Sequence, residues 1–241
     1  MKNFLTQIAI ALYIVSALAG CNVVIDNDII EMDDVSVDAF SEKEEQLTQI
    51  DSLITPIELV ENDDEYMRYR LRGNGKYLFI EGTISSRFPW KLEQILNHSS
   101  GIEWLILTNV PGSIDDRANL EGARIVRQHS INTYIPQGGS VASGGTDLFA
   151  AGVERVAFED AKIGVHSWGG TNWKGEMIEG KGFPKNHPDH QPYLNYYKEM
   201  GIPTDFYWFT LEVAGAHDIH YMNFGEIERF QLATEIRSRR K

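Results

Sequence analysis

Residues 140–170 read "SVASGGTDLFAAGVERVAFEDAKIGVHSWGG". Ser143 stands between small residues at the mouth of an apolar run. A small-residue helix is expected over 145–153, ending at Gly152, and a β-like segment then leads to His166 and two glycines. Two functional meanings are open at this point. Ser143 is a nucleophile with His166 as its base, or small residues fill a tight strand-to-helix turn.

Upstream, "IEWLILTNV" (102–110) is an apolar run of strand length and "INTYIP" (131–136) a short strand. Between them "DDRANLEGARIVRQH" (115–129) opens on aspartates and repeats apolar residues at helical spacing. Earlier still, "KYLFIEGTI" (76–84) alternates and is β-rich, and "PWKLEQILNH" (89–98) has helical spacing after a proline. Strands and helices alternating at these lengths predict a mainly parallel sheet with crossover helices, whose ligands gather beyond the carboxyl ends of the strands. The loops over 109–116, 137–145 and after Val165 then carry the candidate chemistry. At a helix start the Gly144 N–H can donate to a developing oxyanion, and Gly112 or Ser113 in "NVPGS" (109–113) can supply a second donor. At the end of its strand, His166 can take a hydroxyl proton.

Taken together, the order and spacing resemble the Clp-protease/crotonase superfamily, in particular the proteolytic-subunit-like branch with exported members. The residues that carry the resemblance are Pro111-Gly112-Ser113, Ala142-Ser143-Gly144-Gly145, Ala151-Gly152 with Arg155, and Ile163-Gly164-Val165-His166-Ser167, within a span of about 76 to 236. The resemblance implies an α/β spiral of strand-strand-helix units with a mainly parallel sheet. It makes Ser143 the nucleophile, His166 the base, and Gly112 and Gly144 the oxyanion-hole donors. It places the orienting carboxylate at Asp218, with Asp205 and Glu212 as neighbouring alternatives, and it implies a peptide or protein substrate, no cofactor, and self-association. Two departures stand out. Ser113 replaces a glycine of the family's Pro-Gly-Gly loop, and the segment after His166 is rich in Gly and Trp where a Clp subunit has the long helix that interlocks its rings. Ring assembly through that helix is therefore not expected.

Other chemistry-bearing residues fit less well. Ser140 precedes the turn, Ser113 lies in the proposed oxyanion loop, and Ser167 points away from the face used by His166 because strand side chains alternate. His187 and His190, and His217 and His220, form two His-x-x-His pairs, but Pro188 and a strand-like context spoil a helical zinc geometry, so no metal is expected. The aromatics of "YLNYYKEM" and "FYWFT" are expected in the core.

The amino-terminal region sets the cellular context. Lys2 is followed by an apolar stretch from Phe4 to Ala19 that ends at Leu18-Ala19-Gly20-Cys21. That layout suits a signal peptide over residues 1–20, and its last four residues resemble the bacterial lipobox. The resemblance implies cleavage before Cys21 and lipid on that residue, which is the only cysteine. Asn22 is not the aspartate that favours inner-membrane retention, so an outer-membrane anchor facing the periplasm is expected.

Between Asp26 and Glu65 stand roughly fifteen acidic residues and one lysine, which leaves the rest of the chain near neutral. Residues 21–70 are expected to be a solvated tether that the fold does not need, followed by one domain over 71–241. The acidic run lacks the glycine and spacing of a calcium loop. Nucleic acid is not an expected partner, because the terminal "RSRRK" is the only basic cluster. The sequence therefore points to an envelope-anchored serine hydrolase acting on peptides. The alternative is a scaffolding or binding lipoprotein that keeps the fold without catalysis.

Overall fold

The computed structural model describes residues 34–54, 65–171 and 173–239. Cys21 and the apolar leader lie outside them. The chain divides into two compact units, 1–46 and 47–241. In the first, the described residues belong to helix α1 (Asp34–Ser52), whose last turns, from Leu47, fall in the second.

The second unit is built on a nine-stranded sheet. β1 (Met67–Arg72) pairs antiparallel with β2 (Tyr77–Gly82), and β2 runs parallel to β3 (Trp104–Val110) after the crossover helix α2 (Phe88–His98). Helix α3 (Asp116–Gln128) returns the chain to β4 (Asn132–Ile135), and a bend at 136–139 leads to β5 (Ser140–Ala142). β4 pairs with the start of β3 and β5 with its end, so the two are halves of one bent strand. After helix α4 (Gly144–Ala150), β6 (Arg155–Phe158) and β7 (Lys162–Val165) repeat the device, β6 beside β4 and β7 beside β5. The Gly138 N–H donates to Asp160 Oδ1 at 2.8 Å and ties one bend to the other. These are successive strand-strand-helix units curling into a mostly parallel sheet, which is the spiral expected from the sequence.

After His166 the chain forms the hairpin β8 (Gly169–Thr171) and β9 (Met177–Glu179) and two short 3-10 turns, then α5 (Gln191–Glu199) and α6 (Asp205–Val213). β10 (His220–Tyr221) lies antiparallel on β7, and α7 (Phe224–Arg229) leads to β11 (Glu235–Arg237), parallel to β6. The Gly- and Trp-rich segment is thus a hairpin rather than a long helix. α4 ends at Ala150 with Ala151 as its C-cap, next to the expected end at Gly152, and that glycine also serves packing, since a Cβ there would stand 2.2 Å from Thr133 Oγ1. Arg155 is structural too, donating to the carbonyls of Leu232, Gly152 and Gln231.

Two layers of apolar side chains cover the sheet. The larger core joins α2, α3, α4, α5 and α6 to it through residues such as Leu92, Val126, Phe149, Tyr196 and Phe206. The second cluster corrects the tether boundaries. Leu47 and Ile50 of α1 are fully buried against Tyr77, Phe79, Trp104, Ile106, Tyr134 and Val156. Asp51 accepts from Tyr134 at 2.8 Å and pairs with Arg237, while the Tyr77 hydroxyl donates to Gln49 at 2.9 Å. Burying two branched side chains removes enough apolar surface to make this end of the acidic segment part of the domain. β1 likewise begins at Met67, before the expected boundary at 71.

Candidate active site

Ser143 occupies the turn between β5 and α4 with φ 52° and ψ −125°. An L-residue there is strained, and such strain persists only where surrounding structure holds it. Three contacts do so. The Ser143 N–H donates to Gly164 O at 3.0 Å, and its carbonyl accepts from Thr146 N at 2.8 Å and Asp147 N at 3.2 Å. An N-cap serine ordinarily turns its hydroxyl onto the helix's first N–H groups. Ser143 makes no such bond, and its side chain faces a pocket instead.

Glycines shape the surroundings of that turn. A Cβ on Gly145 would lie 2.0 Å from Val110 O, and one on Gly144 would lie 2.6 Å from Ser113 Oγ. Only residues without side chains let α4 start this close to the loop after β3. Gly112 has φ 151°, and a Cβ there would stand 3.6 Å from Ser143 Oγ, so its backbone passes directly beside the hydroxyl. Positive φ therefore falls on Gly112, and Ser113 is free to carry a side chain, which donates to Asp116 Oδ1 at 2.6 Å. Among the described residues neither the Gly112 nor the Gly144 N–H has an acceptor. Two unpaired backbone donors thus flank Ser143, the disposition that stabilises an oxyanion.

His166 follows β7 directly, on the strand that pairs with β5, and lines the same pocket as Ser143. Ser143 N and Thr146 Oγ1 both donate to Gly164 O, at 3.0 and 2.7 Å, and fix the two strand ends to each other. His166 Nδ1 is buried with no hydrogen-bond partner, and no hydrogen bond joins the imidazole to Ser143 in this structure. Catalytic hydrogen bonds of this kind commonly tighten only with substrate.

The structure does not bring Asp218 to the imidazole. Asp218 is exposed in the turn before β10, and β10 pairs His220 with Val165, which carries Asp218 past the histidine and out to solvent. Asp205 and Glu212 are also exposed on α6. None of the three lines the pocket. Ser167 is fully buried, accepts from Lys181 N at 3.2 Å, and points away from the pocket as strand alternation requires.

Residues that sequence reasoning assigned to the core or to helix starts complete the cavity. It holds about 400 Å³ including its mouth and is lined further by Asp116, Thr146, Asp147, Val165, Trp168, Tyr193, Tyr197, Tyr207 and Thr210. Trp168, Tyr193 and Tyr207 stack nearly parallel, at 6.1 and 5.4 Å between centroids. Tyr193 donates to Asp116 Oδ2 at 2.6 Å, Tyr197 donates to Asp147 Oδ1, and Asn119 donates to Asp147 Oδ2 at 3.1 Å. Burial pushes the Asp147 carboxyl up to about 7, with the Asp116 charge adding to the rise and the Tyr197 and Asn119 hydrogen bonds opposing it.

The histidine pairs hold other partners. His190 is fully buried with Nδ1 2.6 Å from the Tyr207 hydroxyl, His187 stacks on Phe183, and His220 contacts Glu226 at 2.9 Å. Among the described residues no cluster of three potential ligands could hold a metal ion.

No family model matches the chain, and no curated protein matches it. Solved structures similar to it include the membrane-bound stomatin-specific protease 1510-N as a serine-to-alanine mutant. That structure is 18% identical with a TM-score of 0.48, and the alignment covers 66% of this chain and 77% of that one. A lysine-to-alanine mutant of the same protease in complex with a substrate peptide is 18% identical with a TM-score of 0.47, covering 69% and 77%.

Proposed function

We propose that this chain is a serine hydrolase that cleaves peptides by acyl transfer through a Ser143–His166 dyad. One observation carries the proposal: Ser143 holds a strained φ of 52° with an uncapped hydroxyl, in the pocket it shares with His166, between two N–H groups that lack acceptors. Strain, a nearby base and paired donors on one atom suit a nucleophile better than a turn residue.

In the proposed mechanism Ser143 Oγ attacks the carbonyl carbon while His166 takes its proton. The Gly112 and Gly144 N–H groups hold the negative oxygen of the tetrahedral intermediate. The intermediate collapses as the imidazolium gives the proton to the leaving amine, and a water then releases the acyl group by the same sequence in reverse. Thr210 and Thr146 line this space, and among the described residues no carboxylate is hydrogen-bonded to His166 Nδ1, which supports a Ser143–His166 dyad.

Peptidase kinetics test this. Ser143→Ala and His166→Ala should each lower kcat by on the order of 10⁴, with the double variant scarcely worse, because either change removes the same activated nucleophile. Asp218→Asn should stay within about twofold of the parent. Full turnover in Ser143→Ala would overturn the mechanism, and multiplying losses in the double variant would dissolve the dyad.

The lipobox-like Leu18-Ala19-Gly20-Cys21 supports the further proposal of a lipid anchor at Cys21 that holds the hydrolase in the cell envelope, on the periplasmic side of the outer membrane. Cys21→Ser should release the protein from the detergent phase, and unchanged partitioning would count against the anchor.

A further inference from the structure

The cavity that Ser143 and His166 share leaves little room beside the nucleophile. Beyond its open mouth it has space for about two water molecules. Aromatic side chains occupy the rest. Trp168, Tyr193 and Tyr207 stack with their planes within 7° and 11° of one another, and Tyr197 and Tyr207 are buried behind the opening. The stack is also tied at its polar ends. Trp168 Nε1 donates to the Tyr207 hydroxyl at 2.8 Å, and that hydroxyl lies 2.6 Å from Nδ1 of the fully buried His190. Tyr193 and Tyr197 donate to Asp116 and Asp147. Swinging a ring aside to admit a larger group breaks at least one of these bonds and strands its partner, in an interior too densely packed to dilate freely.

The position of this space says which part of a substrate it faces. Ser143 is its nucleophilic edge, Thr146 and Asp147 lie on the first turn of α4, and Val165 ends the strand before His166. A peptide attacked by Ser143 would turn its carbonyl oxygen to the Gly112 and Gly144 N–H groups and its leaving nitrogen to His166. The side chain on the acyl side of that carbonyl is then the group left to enter between Ser143 and the aromatic stack. Room for about two waters admits about two non-hydrogen atoms with their hydrogens. Glycine, alanine and serine stay within that limit beyond Cα, whereas leucine, lysine and phenylalanine exceed it.

We propose, resting on the dyad mechanism above, that this pocket restricts the residue on the acyl side of the cleaved bond to glycine, alanine or serine, with Tyr193 and Tyr207 as the residues that set the limit. A larger side chain must displace a bonded aromatic wall, and the resulting overpacking weakens its hold on the transition state.

Peptides identical except for Gly, Ala, Ser, Leu, Phe or Lys before the cleaved bond test the proposal on the full chain. Their kcat/KM values should be at least tenfold higher for Ala than for Leu, Phe or Lys. Tyr193→Ala removes one ring of the stack and should raise the Leu-to-Ala ratio at least tenfold, while Tyr193→Phe keeps the ring and should keep the preference for Ala. The peptide series on the parent protein decides the matter even where Tyr193→Ala does not fold. Equal rates across the series, or faster cleavage after Leu or Phe than after Ala, overturn the proposal, as does a Leu-to-Ala ratio unmoved in a folded Tyr193→Ala variant. A second readout needs no turnover: in calorimetric titration, a product-type peptide ending in alanine with a free carboxylate should bind at least tenfold more tightly than the same peptide ending in leucine. If no peptide is cleaved but this difference holds, the dyad mechanism falls and the size limit stands. If the two product peptides bind equally, or neither binds, the size limit falls whatever the turnover.

Discussion

Replacing Ser143 by glycine should stabilise the protein while removing its nucleophile. Ser143 stands at φ 52° and ψ −125°, a conformation that a side-chain-bearing residue adopts at a cost on the order of 1–3 kcal/mol. Glycine adopts it freely, but gains unfolded-state freedom that takes back about 0.5–1 kcal/mol. The net expectation is a gain of about 1 kcal/mol. Ser143→Ala is the control: it keeps the Cβ and the strain, and loses only a hydroxyl with no hydrogen-bond partner, so its stability should match the parent to about 0.5 kcal/mol. For a unit of this size 1 kcal/mol shifts the melting temperature by about 2–4 °C. Differential scanning calorimetry of the two variants should therefore show the glycine form melting a few degrees above the alanine form, with both inactive. A glycine variant that melts at or below the alanine variant would show that the turn is unstrained and that its shape says nothing about catalysis.

The end of α1 should matter to stability despite its acidic surroundings. Leu47→Ala removes a fully buried side chain and should cost about 2–4 kcal/mol in urea unfolding, where a solvated tether would give almost no change. Asp147 should impose a pH dependence of known sign. Its carboxyl is raised to about 7 in the folded protein, so the native state holds the proton more firmly than the unfolded chain does. Stability from this group is fully present below about pH 4 and is lost as pH rises to about 7, by at most about 4 kcal/mol on the linkage relation. Asp147→Asn should remove that slope and be more stable than the parent at pH 8. Parallel pH profiles for the two proteins would contradict it.

The parts of the fold that were legible in the sequence are those whose signals are local. The strand of 102–110, the helix of 115–129 and the turn at Ser143 each announce themselves by apolar period or by small residues, and each lies within a few residues of its expected place. α1 was illegible because carboxylates crowd a helix in which Leu47 and Ile50 still share a face, so charge masked burial. β1, "MRYRLR", alternates apolar and arginine residues in a strand period, but abuts the acidic run and was absorbed into it.

The site divides in the same way. Ser143, His166, Gly112 and Gly144 each sit just past the carboxyl end of a strand that local signals mark, whereas the partner of an imidazole is set by tertiary packing, which carries Asp218 into solvent. Asp116 and Asp147 lie in the first turns of two helices, where acids are ordinarily explained by the helix dipole. Their place in the pocket's hydrogen-bond network depends on tyrosines from α5 that arrive some fifty residues or more later in the chain. The aromatics of α5 and α6 are indeed packed in the core, and Tyr193, Tyr197 and Tyr207 also wall the pocket.

The central claim is that Ser143 is an activated nucleophile, and covalent labelling by a fluorophosphonate probe tests it most directly. The probe should modify the intact folded protein once, mass spectrometry should place the adduct on the peptide containing Ser143, and His166→Ala should slow labelling by orders of magnitude. A folded protein that stays unlabelled, or that carries the adduct on Ser113, Ser140 or Ser167 instead, would contradict the assignment.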